Sequence, residues 1–327
     1  MRYFLPALLA AAPALADVDR AIDEVILPAT AQFAEASEAL ADAARADCTA
    51  EALRPAYQEA FDAWPAVSIL TLGPLEQNGR KLAIAFWPDT RGMVQRTVAD
   101  LLAAEDPVVD APEEFAEVSV AGRGLFALER LLYGEDAPDY ADGDYACALA
   151  RAIAVDLARM ASAIDAEWRD GFAETLRTAG APENEVYLSE KEATQALYTA
   201  LMTSLEFTAD QQLGRPLGTF DRPRPERAEA RRSERSKRNV QLALEAQRSM
   251  ARGLADAPIP ITEAAFDEAF EALDRVDSAD FSDIDDPSAR LKLEIVQQRV
   301  QTIRTDVAGE IGGALGVTAG FNSADGD

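Results

Sequence analysis

Apolar residues recur along much of this chain at intervals of three and four, which is the spacing of one face of an α-helix. One such series covers residues 149–168, a second covers 296–311, and a third covers 197–205. The third series follows Ser189 and Glu192, which are spaced as in a helix-capping box. Because each series forms an apolar stripe on its helix, the stripes must pack against one another. The chain has no comparable strand alternation, so we predict an all-α protein made of helical bundles.

The same periodicity predicts helices in five further segments, which are 18–45, 50–63, 92–104, 228–254 and 263–274. Clusters of Gly and Pro interrupt the pattern, and one of them, at residues 179–185, comes directly before the capping box. With 327 residues the chain is long enough for two domains. We therefore predict two domains resembling four-helix bundles, an N-terminal one over residues 17–180 and a C-terminal one over residues 181–327.

The first 16 residues have the organisation of a secretory signal peptide. Arg2 precedes an apolar stretch over residues 3–13, and Ala14-Leu15-Ala16 forms an A-x-A cleavage site. The apolar stretch is too short to span a bilayer. We therefore predict a signal peptide over residues 1–16, export to the periplasm and no stable insertion into a membrane.

The chain contains two cysteines, Cys48 and Cys147, and no histidine. In an oxidising compartment an isolated pair most simply forms one disulfide, and two buried thiols are the alternative. The absence of histidine excludes Ser-His-Asp and Cys-His catalysis and zinc sites of the H-E-x-x-H type. Any bound metal must take oxygen ligands, which suit hard cations such as iron or calcium.

The formal net charge of −27 repels nucleic acid, so we expect no nucleic-acid partner. The same charge attracts cations, although solubility alone also accounts for it. A local exception is the segment from Arg222 to Arg238, which holds eight Lys or Arg residues and three Glu residues. This segment, called the basic strip below, is either an anion-binding surface or a solvated helix start that pairs with the acidic remainder.

The segment over residues 122–134 is apolar on nearly every side, and its one carboxylate is Glu129. We predict a buried helix in which Phe126 and Tyr133 share a face with Glu129, because they lie three and four residues from it. A buried carboxylate is costly unless it is paired, protonated or bound to a cation. Glu129 is therefore a ligand or an acid–base group with a raised pKa, or half of a buried ion pair.

Three arginines are candidate partners in such an ion pair, namely Arg80, Arg91 and Arg123. Arg91 follows Trp87 and Asp89 closely, in a loop or helix start that we expect to face Glu129. Trp87 supplies either an aromatic wall to the site or packing at a helix terminus, since it precedes a proline.

The segment around Glu129 resembles the signature of the imelysin-like family, a Gly-x-His-x-x-Glu element followed by Leu-Leu and a glycine. Gly124 and Glu129 match its ends, whereas Phe126 stands at the histidine position. Other parts of the chain resemble the family's first bundle and its C-terminal ending, namely residues 61–64, 73–74, 87–89 and 315–327. The similarity therefore covers most of the chain that would follow the signal peptide.

This resemblance implies a two-domain all-helical fold with a site near the domain interface. Members of the family are exported or envelope proteins, often linked to iron uptake, and some carry a metallopeptidase label that depends on the signature His and Glu. Because phenylalanine binds no metal and transfers no proton, Phe126 argues against peptidase activity. We expect a binding protein connected to iron or other metal acquisition. Its expected partners are a small ligand or metal ion and an iron-uptake protein of the envelope.

The expected site is centred on Glu129, which is also the expected metal ligand. The other residues expected to bind are Gly124, Arg123, Phe126, Tyr133, Trp87, Asp89 and Arg91. An arginine beside Glu129 would favour a carboxylate or another anion over a cation. Two alternatives remain open. A metal-dependent hydrolase would need at least two more carboxylates converging on Glu129, and an interaction module would seal Glu129 in an ion pair with no cavity beside it.

Overall fold

The computed structural model describes residues 17–134 and 137–318. The predicted signal peptide, residues 1–16, lies outside the described residues, and so does most of the C-terminal segment that resembles the family's ending. The described ranges contain eleven helices and no strand, which confirms the all-α prediction. None of these helices is both long enough and apolar enough to cross a membrane.

Seven helices precede residue 180. They are α1 over 18–46, α2 Ala50–Ser68, α3 Arg80–Ile84, α4 Met93–Ala104, α5 Pro112–Phe115, α6 Gly124–Leu132 and α7 over 145–177. Four helices follow, which are α8 over 190–217, α9 Ser236–Leu254, α10 Pro260–Asp274 and α11 over 287–315. Four of the eleven contain an internal π turn, and these turns are Ala21–Ile26 in α1, Trp168–Phe172 in α7, Phe207–Leu213 in α8 and Ala308–Gly312 in α11.

The apolar stripes seen in the sequence are the surfaces on which these helices pack. Helix α1 packs on α2 and α7, α10 packs on α11, and α6 lies against α7, α2 and α4. Helix α9 contacts α8 and α10 and also reaches α2 and the π turn of α1. One hydrophobic core therefore continues from the first half of the chain into the second. The division into domains near residue 180 stays a prediction.

The helix predicted over residues 228–254 begins later, at Ser236, so that prediction is wrong at its N-terminal end. Ala230 and Glu234 have backbone φ angles of 46° and 57°, in the left-handed region that interrupts a right-handed helix. A single 3-10 turn, Arg231–Ser233, lies between them. Most of the basic strip is therefore a loop that lies between α8 and α9.

Cys48 and Cys147 form a disulfide, with their Cα atoms 5.1 Å apart. The bond joins the second residue past the end of α1 to the first turn of α7. It therefore fastens together two helices that also pack against each other, and the alternative of two free thiols is wrong.

Candidate functional site

Helix α6 begins where only glycine fits. Gly124 has a φ of 68°, and a Cβ atom there would lie 2.2 Å from the carbonyl oxygens of both Ala83 and Ile84. The glycine therefore lets α6 start directly against the end of α3. All nine residues of α6 are buried, as the apolar segment predicts. Gly124 positions the helix and does not line the cavity described below.

None of the three arginines expected to pair with the buried carboxylate of α6 does so. Arg123 forms a buried ion pair with Asp156, through contacts of 2.8 and 3.1 Å. Arg80 makes two contacts of 2.6 Å with Glu167. Arg91 is exposed and does not line the cavity. Arg123 thus holds the start of α6 on α7. Neither it nor Arg91 lines the cavity described below, and their place in a binding site stays a prediction.

Glu129 is bound instead by a serine from the second half of the chain. Its side chain is buried, and its Oε1 atom accepts hydrogen bonds from Ser233 N at 3.0 Å and from Ser233 Oγ at 2.7 Å. Burial raises the pKa of Glu129, while the bonds from Ser233 and the charges of Arg232 and Arg231 oppose that rise. The motif glutamate therefore fixes the 3-10 turn of the basic strip against α6.

The residue at the histidine position of the motif is part of an aromatic wall. Phe126 meets Phe61 edge to face, with ring centroids 5.6 Å apart. Tyr133 lies just beyond α6, where its hydroxyl accepts a hydrogen bond from Gln58 at 2.9 Å. Phe126 lines the cavity beside Glu129, whereas Tyr133 does not, and the place of Tyr133 in the site stays a prediction.

A cavity of about 170 Å³ lies beside Glu129 and is lined by both halves of the chain. From the first half, Phe126, Trp87 and Asp89 line it, and their role in binding stays a prediction. Its basic lining consists of Arg130, Arg215, Arg227, Arg231 and Arg232. Its acidic lining consists of Asp89, Glu129 and Glu226. The basic strip thus contributes directly to the cavity, and arginines outnumber carboxylates around it.

Asp89 is already bound by backbone groups. Its carboxylate accepts hydrogen bonds from the amides of Met93 at 2.9 Å, Val94 at 2.8 Å and Arg91 at 3.2 Å. The first two amides belong to the start of α4, where a carboxylate also meets the positive end of the helix dipole. Asp89 therefore stabilises the start of α4, and the positive end of that helix offsets part of its charge.

Two of the arginines around the cavity have no carboxylate partner within the described residues. Neither Arg215 nor Arg227 forms an ion pair there, and the Arg215 Nε atom is buried without a hydrogen-bond partner. Burial lowers the pKa of Arg215, and the charge of Arg227 lowers it further. The two guanidinium groups therefore repel each other across the cavity, which an anion between them would relieve.

Carboxylates that could share a metal ion do not converge on Glu129 in the part of the chain that the structure describes. The one group of three potential ligands found there is Cys48, Cys147 and Asp142, and its two sulfurs are bonded to each other. The metal-ligand role of Glu129 and the hydrolase alternative stay predictions.

Sequence reasoning missed Ser233 and Arg215. Ser233 lies 104 residues from Glu129 and inside a segment whose composition favours a helix. The positive charge of the basic strip was the available signal, because a buried carboxylate and a basic segment in an acidic chain are natural partners. Arg215 lies outside the strip, and no sequence pattern marks it.

Together the fold and the site define a class: an all-helical protein with a buried glutamate and an arginine-lined cavity between the two halves of the chain. The family model described as Imelysin, Peptidase_M75, matches residues 26–307, and the chain belongs to this family.

Relatives and solved structures agree with this assignment. An imelysin-like protein from Psychrobacter arcticum has a TM-score of 0.79 at 19% identity, covering 95% of this chain and all of that one. A protein described as an iron-regulated protein A precursor, from Parabacteroides distasonis, has a TM-score of 0.68 at 12% identity. The match covers 93% of this chain and 98% of that one. Iron-regulated protein A of Synechococcus elongatus is 25% identical over 221 residues, which are 64% of this chain but only 56% of that protein.

Proposed function

We propose that this chain is an exported binding protein whose cavity beside Glu129 takes a small anion with carboxylate or phosphate oxygens. The observation that carries the proposal is the charge around the cavity, where five arginines face three carboxylates. A bare cation entering this cavity would meet a positive surface, whereas a carboxylate would meet guanidinium groups suited to bidentate contacts. The charge of the lining thus favours the anion over the cation as the ligand.

In this proposal Glu129 positions the residues that contact the ligand. Arg231 and Arg232 directly precede Ser233, and both hydrogen bonds from Ser233 end on one oxygen of Glu129. Loss of those bonds would release the turn that carries the two arginines. The family's motif glutamate is therefore a positioning residue here, and the arginines bind.

The link to iron follows from ligand chemistry and from the names of two relatives. Ferric iron is a hard cation that oxygen ligands hold, and carboxylates are the commonest such ligands. An anion site can therefore take iron as an anionic carboxylate complex, without any protein ligand to the metal. The precursor description of the P. distasonis protein supports export. The proposal extends to the predicted periplasmic location and to an envelope iron-uptake partner.

We also propose that the chain is not a peptidase. Phe126 occupies the histidine position and packs against Phe61. Glu129 already accepts two hydrogen bonds through one oxygen. Neither residue is arranged to activate a water molecule at a metal ion.

Calorimetric titration with citrate, ferric citrate, phosphate and calcium chloride tests this function. We expect citrate or phosphate to bind, and ferric citrate to bind where citrate does. Arg215→Gln should weaken the binding at least about tenfold, since a charge-assisted hydrogen bond contributes about 1.5–3 kcal/mol. The matched control is Arg275→Gln, which removes an equal charge from an exposed ion pair with Glu271.

Two results would overturn the anion assignment. One is calcium or ferric binding that Glu129→Gln abolishes while Arg215→Gln leaves it unchanged. The other is a failure of every anion to bind a folded protein. Metal-dependent cleavage of a peptide substrate, lost in Glu129→Gln, would overturn the proposal that the chain is not a peptidase.

A further inference from the structure

A second cavity, of about 110 Å³, lies between α2 and α3 on one side and α8 and α9 on the other. Trp87 lines both this cavity and the one beside Glu129, so its indole separates the two. The remaining aromatic lining consists of Trp64, Phe61 and Phe207. Trp87 and Phe207 meet edge to face, with ring centroids 5.7 Å apart. The walls are therefore mostly aromatic and apolar, in contrast to the arginine-lined cavity.

One end of this second cavity carries hydrogen-bond acceptors that have no donor. Gln212 and Gln247 line it, and they are only 5% and 1% exposed. The Oε1 atoms of both are buried without a hydrogen-bond partner among the described residues. Buried polar groups in native proteins almost always have partners, so such exceptions require an explanation.

The bonds made by the two amide nitrogens set the orientation in which these oxygens lie. Gln212 Nε2 donates to a carboxylate oxygen of Glu229 at 2.6 Å, and Gln247 Nε2 donates to Thr208 Oγ1 at 2.9 Å. Turning Gln212 around would set its oxygen against the carboxylate, whereas the Thr208 hydroxyl can bond either end of Gln247. In the observed orientation both oxygens, which accept hydrogen bonds and cannot donate them, have no donor among the described residues.

Glu229 adds a third acceptor to the same end of the cavity. It is 7% exposed and lines the cavity. Among the described residues it forms no ion pair, because the nearby Arg235 is bound to Asp62 and Gln58. Two amide oxygens and a carboxyl group thus line the cavity, together with the amide of Asn239, whose Nδ2 lies near Glu229. The acceptors outnumber this donor, so the lining is complementary to a group that donates several hydrogen bonds.

The second cavity opens to the surface, and part of its lining comes from a π turn. Leu82 and Phe207, which line it, are 53% and 36% exposed, so it reaches the surface. Phe207, Thr208 and Gln212 all belong to the π turn of α8. Such turns are rare within helices and occur frequently at functional sites. The π turn therefore supplies both the mouth and part of the polar end.

We propose that this second cavity is a binding site for a small apolar molecule that ends in a primary ammonium group. The ammonium donates to Gln212, Gln247 and Glu229, and the apolar body lies against Trp64 and Trp87. Aromatic faces also attract a cation within about 6 Å of a ring centroid. An engineered cavity of roughly 150 Å³ takes benzene. This cavity is smaller but opens to the surface, so a single small ring or a short chain fits with part of the molecule at the mouth.

A lysine is the one cationic side chain among the described residues of the lining. Lys81 lines the cavity and forms no ion pair with the described residues. Burial lowers the pKa of Lys81, although the charge of Glu76 opposes that shift. A cationic ligand near it would lower the pKa further.

Calorimetric titration of the full chain with benzylamine, benzyl alcohol, toluene and phenylacetate tests the proposal. We expect benzylamine to bind at least about tenfold more tightly than toluene, because toluene leaves the two amide oxygens without donors. Phenylacetate should bind worst, since its carboxylate would face Glu229. Tightest binding by phenylacetate, or equal binding by benzylamine and toluene, would overturn the proposal.

Substitutions of lining residues test whether benzylamine binds in this cavity. Gln247→Met removes one acceptor at similar volume and should weaken benzylamine binding at least about fivefold, without affecting toluene. The matched control is Gln241→Met on the exposed face of the same helix, which should change nothing. Leu82→Trp alters only an exposed residue at the mouth of the cavity and should block entry of the ligand. It therefore tests the site even if Gln247→Met folds poorly.

This test is independent of the anion proposal. Arg215→Gln should leave benzylamine binding unchanged, and Gln247→Met should leave citrate binding unchanged, because the two residues line different cavities. Benzylamine binding that persists at full strength in both Gln247→Met and Leu82→Trp would overturn the assignment. Failure of all four probes would do the same, since water alone would then satisfy the acceptors.

Discussion

At the scale of single residues, Gly124 shows most clearly why the motif contains the residue types that it does. Gly124 has a positive φ, and the α3 backbone also approaches it closely. Gly79 also has a positive φ, of 66°, but a Cβ atom added to it would meet nothing within 4 Å. A comparison of substitutions at Gly79 and Gly124 therefore separates the cost of the backbone conformation from the cost of a Cβ clash with the α3 backbone.

Replacement of these two glycines by alanine should have unequal effects on stability. Gly79→Ala should lower the free energy of unfolding by about 1 kcal/mol, the cost of a left-handed alanine. Gly124→Ala should lower it by at least about 3 kcal/mol, because backbone atoms at 2.2 Å must also move. Urea denaturation followed by circular dichroism measures both values. Equal losses in the two variants would contradict this account of the motif glycine.

The sequence predicted a buried acidic residue in α6 but not what binds it. The burial of Glu129 followed from the apolar residues around it, which is local information. Its partner Ser233 lies 104 residues away, and such a contact exists only once the helices have packed. For the same reason Arg123 looked like a partner of Glu129, whereas its side chain pairs with Asp156 on α7.

At the scale of helices, the disulfide between Cys48 and Cys147 adds a covalent link to helices that already pack together. The bond closes a loop with a sequence separation of 99 residues. A cross-link across so long a loop restricts the unfolded chain strongly. The link therefore stabilises the pair α1 and α7, and α6 packs against α7.

Replacement of both cysteines by serine should lower the free energy of unfolding by roughly 3–5 kcal/mol. Chemical denaturation of the oxidised protein and of the double variant measures the difference. A reducing agent should bring the wild-type protein down to the stability of the variant and leave the variant itself unchanged. A double variant as stable as the oxidised wild type would disprove this role of the disulfide.

The helices themselves were largely predictable, whereas their irregularities were not. The three apolar series in the sequence all lie on buried helix faces, because a stripe at helical spacing has few other ways to leave water. The basic strip failed as a helix because Ala230 and Glu234 take left-handed conformations, each at a cost of about 1–3 kcal/mol. Tertiary contacts such as the one between Ser233 and Glu129 offset that cost. The π turn of α8 leaves no distinct pattern in the sequence.

At the scale of the whole molecule, two buried carboxyl groups lie between the two halves of the chain. They make the free energy of unfolding depend on pH. Burial raises the pKa of both Glu129 and Glu229 above the ordinary value of 4.5. A group with a raised folded-state pKa stabilises the protein fully below its ordinary pKa. That contribution is lost as the pH rises through the folded-state pKa. The two halves should therefore hold together best in mild acid, as far as these groups are concerned.

The double variant Glu129→Gln, Glu229→Gln should thus gain stability relative to the wild type as the pH rises from about 4 to about 8. Glutamine keeps an acceptor oxygen at each position but does not ionise. Urea denaturation at several pH values measures the difference between the two proteins, in which all other titrating groups cancel. The exposed residues Glu113 and Glu114 provide a matched double control, which should show no such trend. A difference that stays constant with pH would refute the prediction.

The continuity of the core has a consequence for how a ligand exchanges. Helix α9 packs on helices of both halves, so a clamshell motion about a hinge would expose apolar surface along its whole length. Exchange must instead rely on gating by side chains at the cavity mouths, such as Leu82 and Phe207. Exposed side chains change rotamer within nanoseconds, whereas domains open over microseconds to milliseconds. We therefore expect pre-formed sites with little induced fit, and capture that is fast and limited mainly by diffusion.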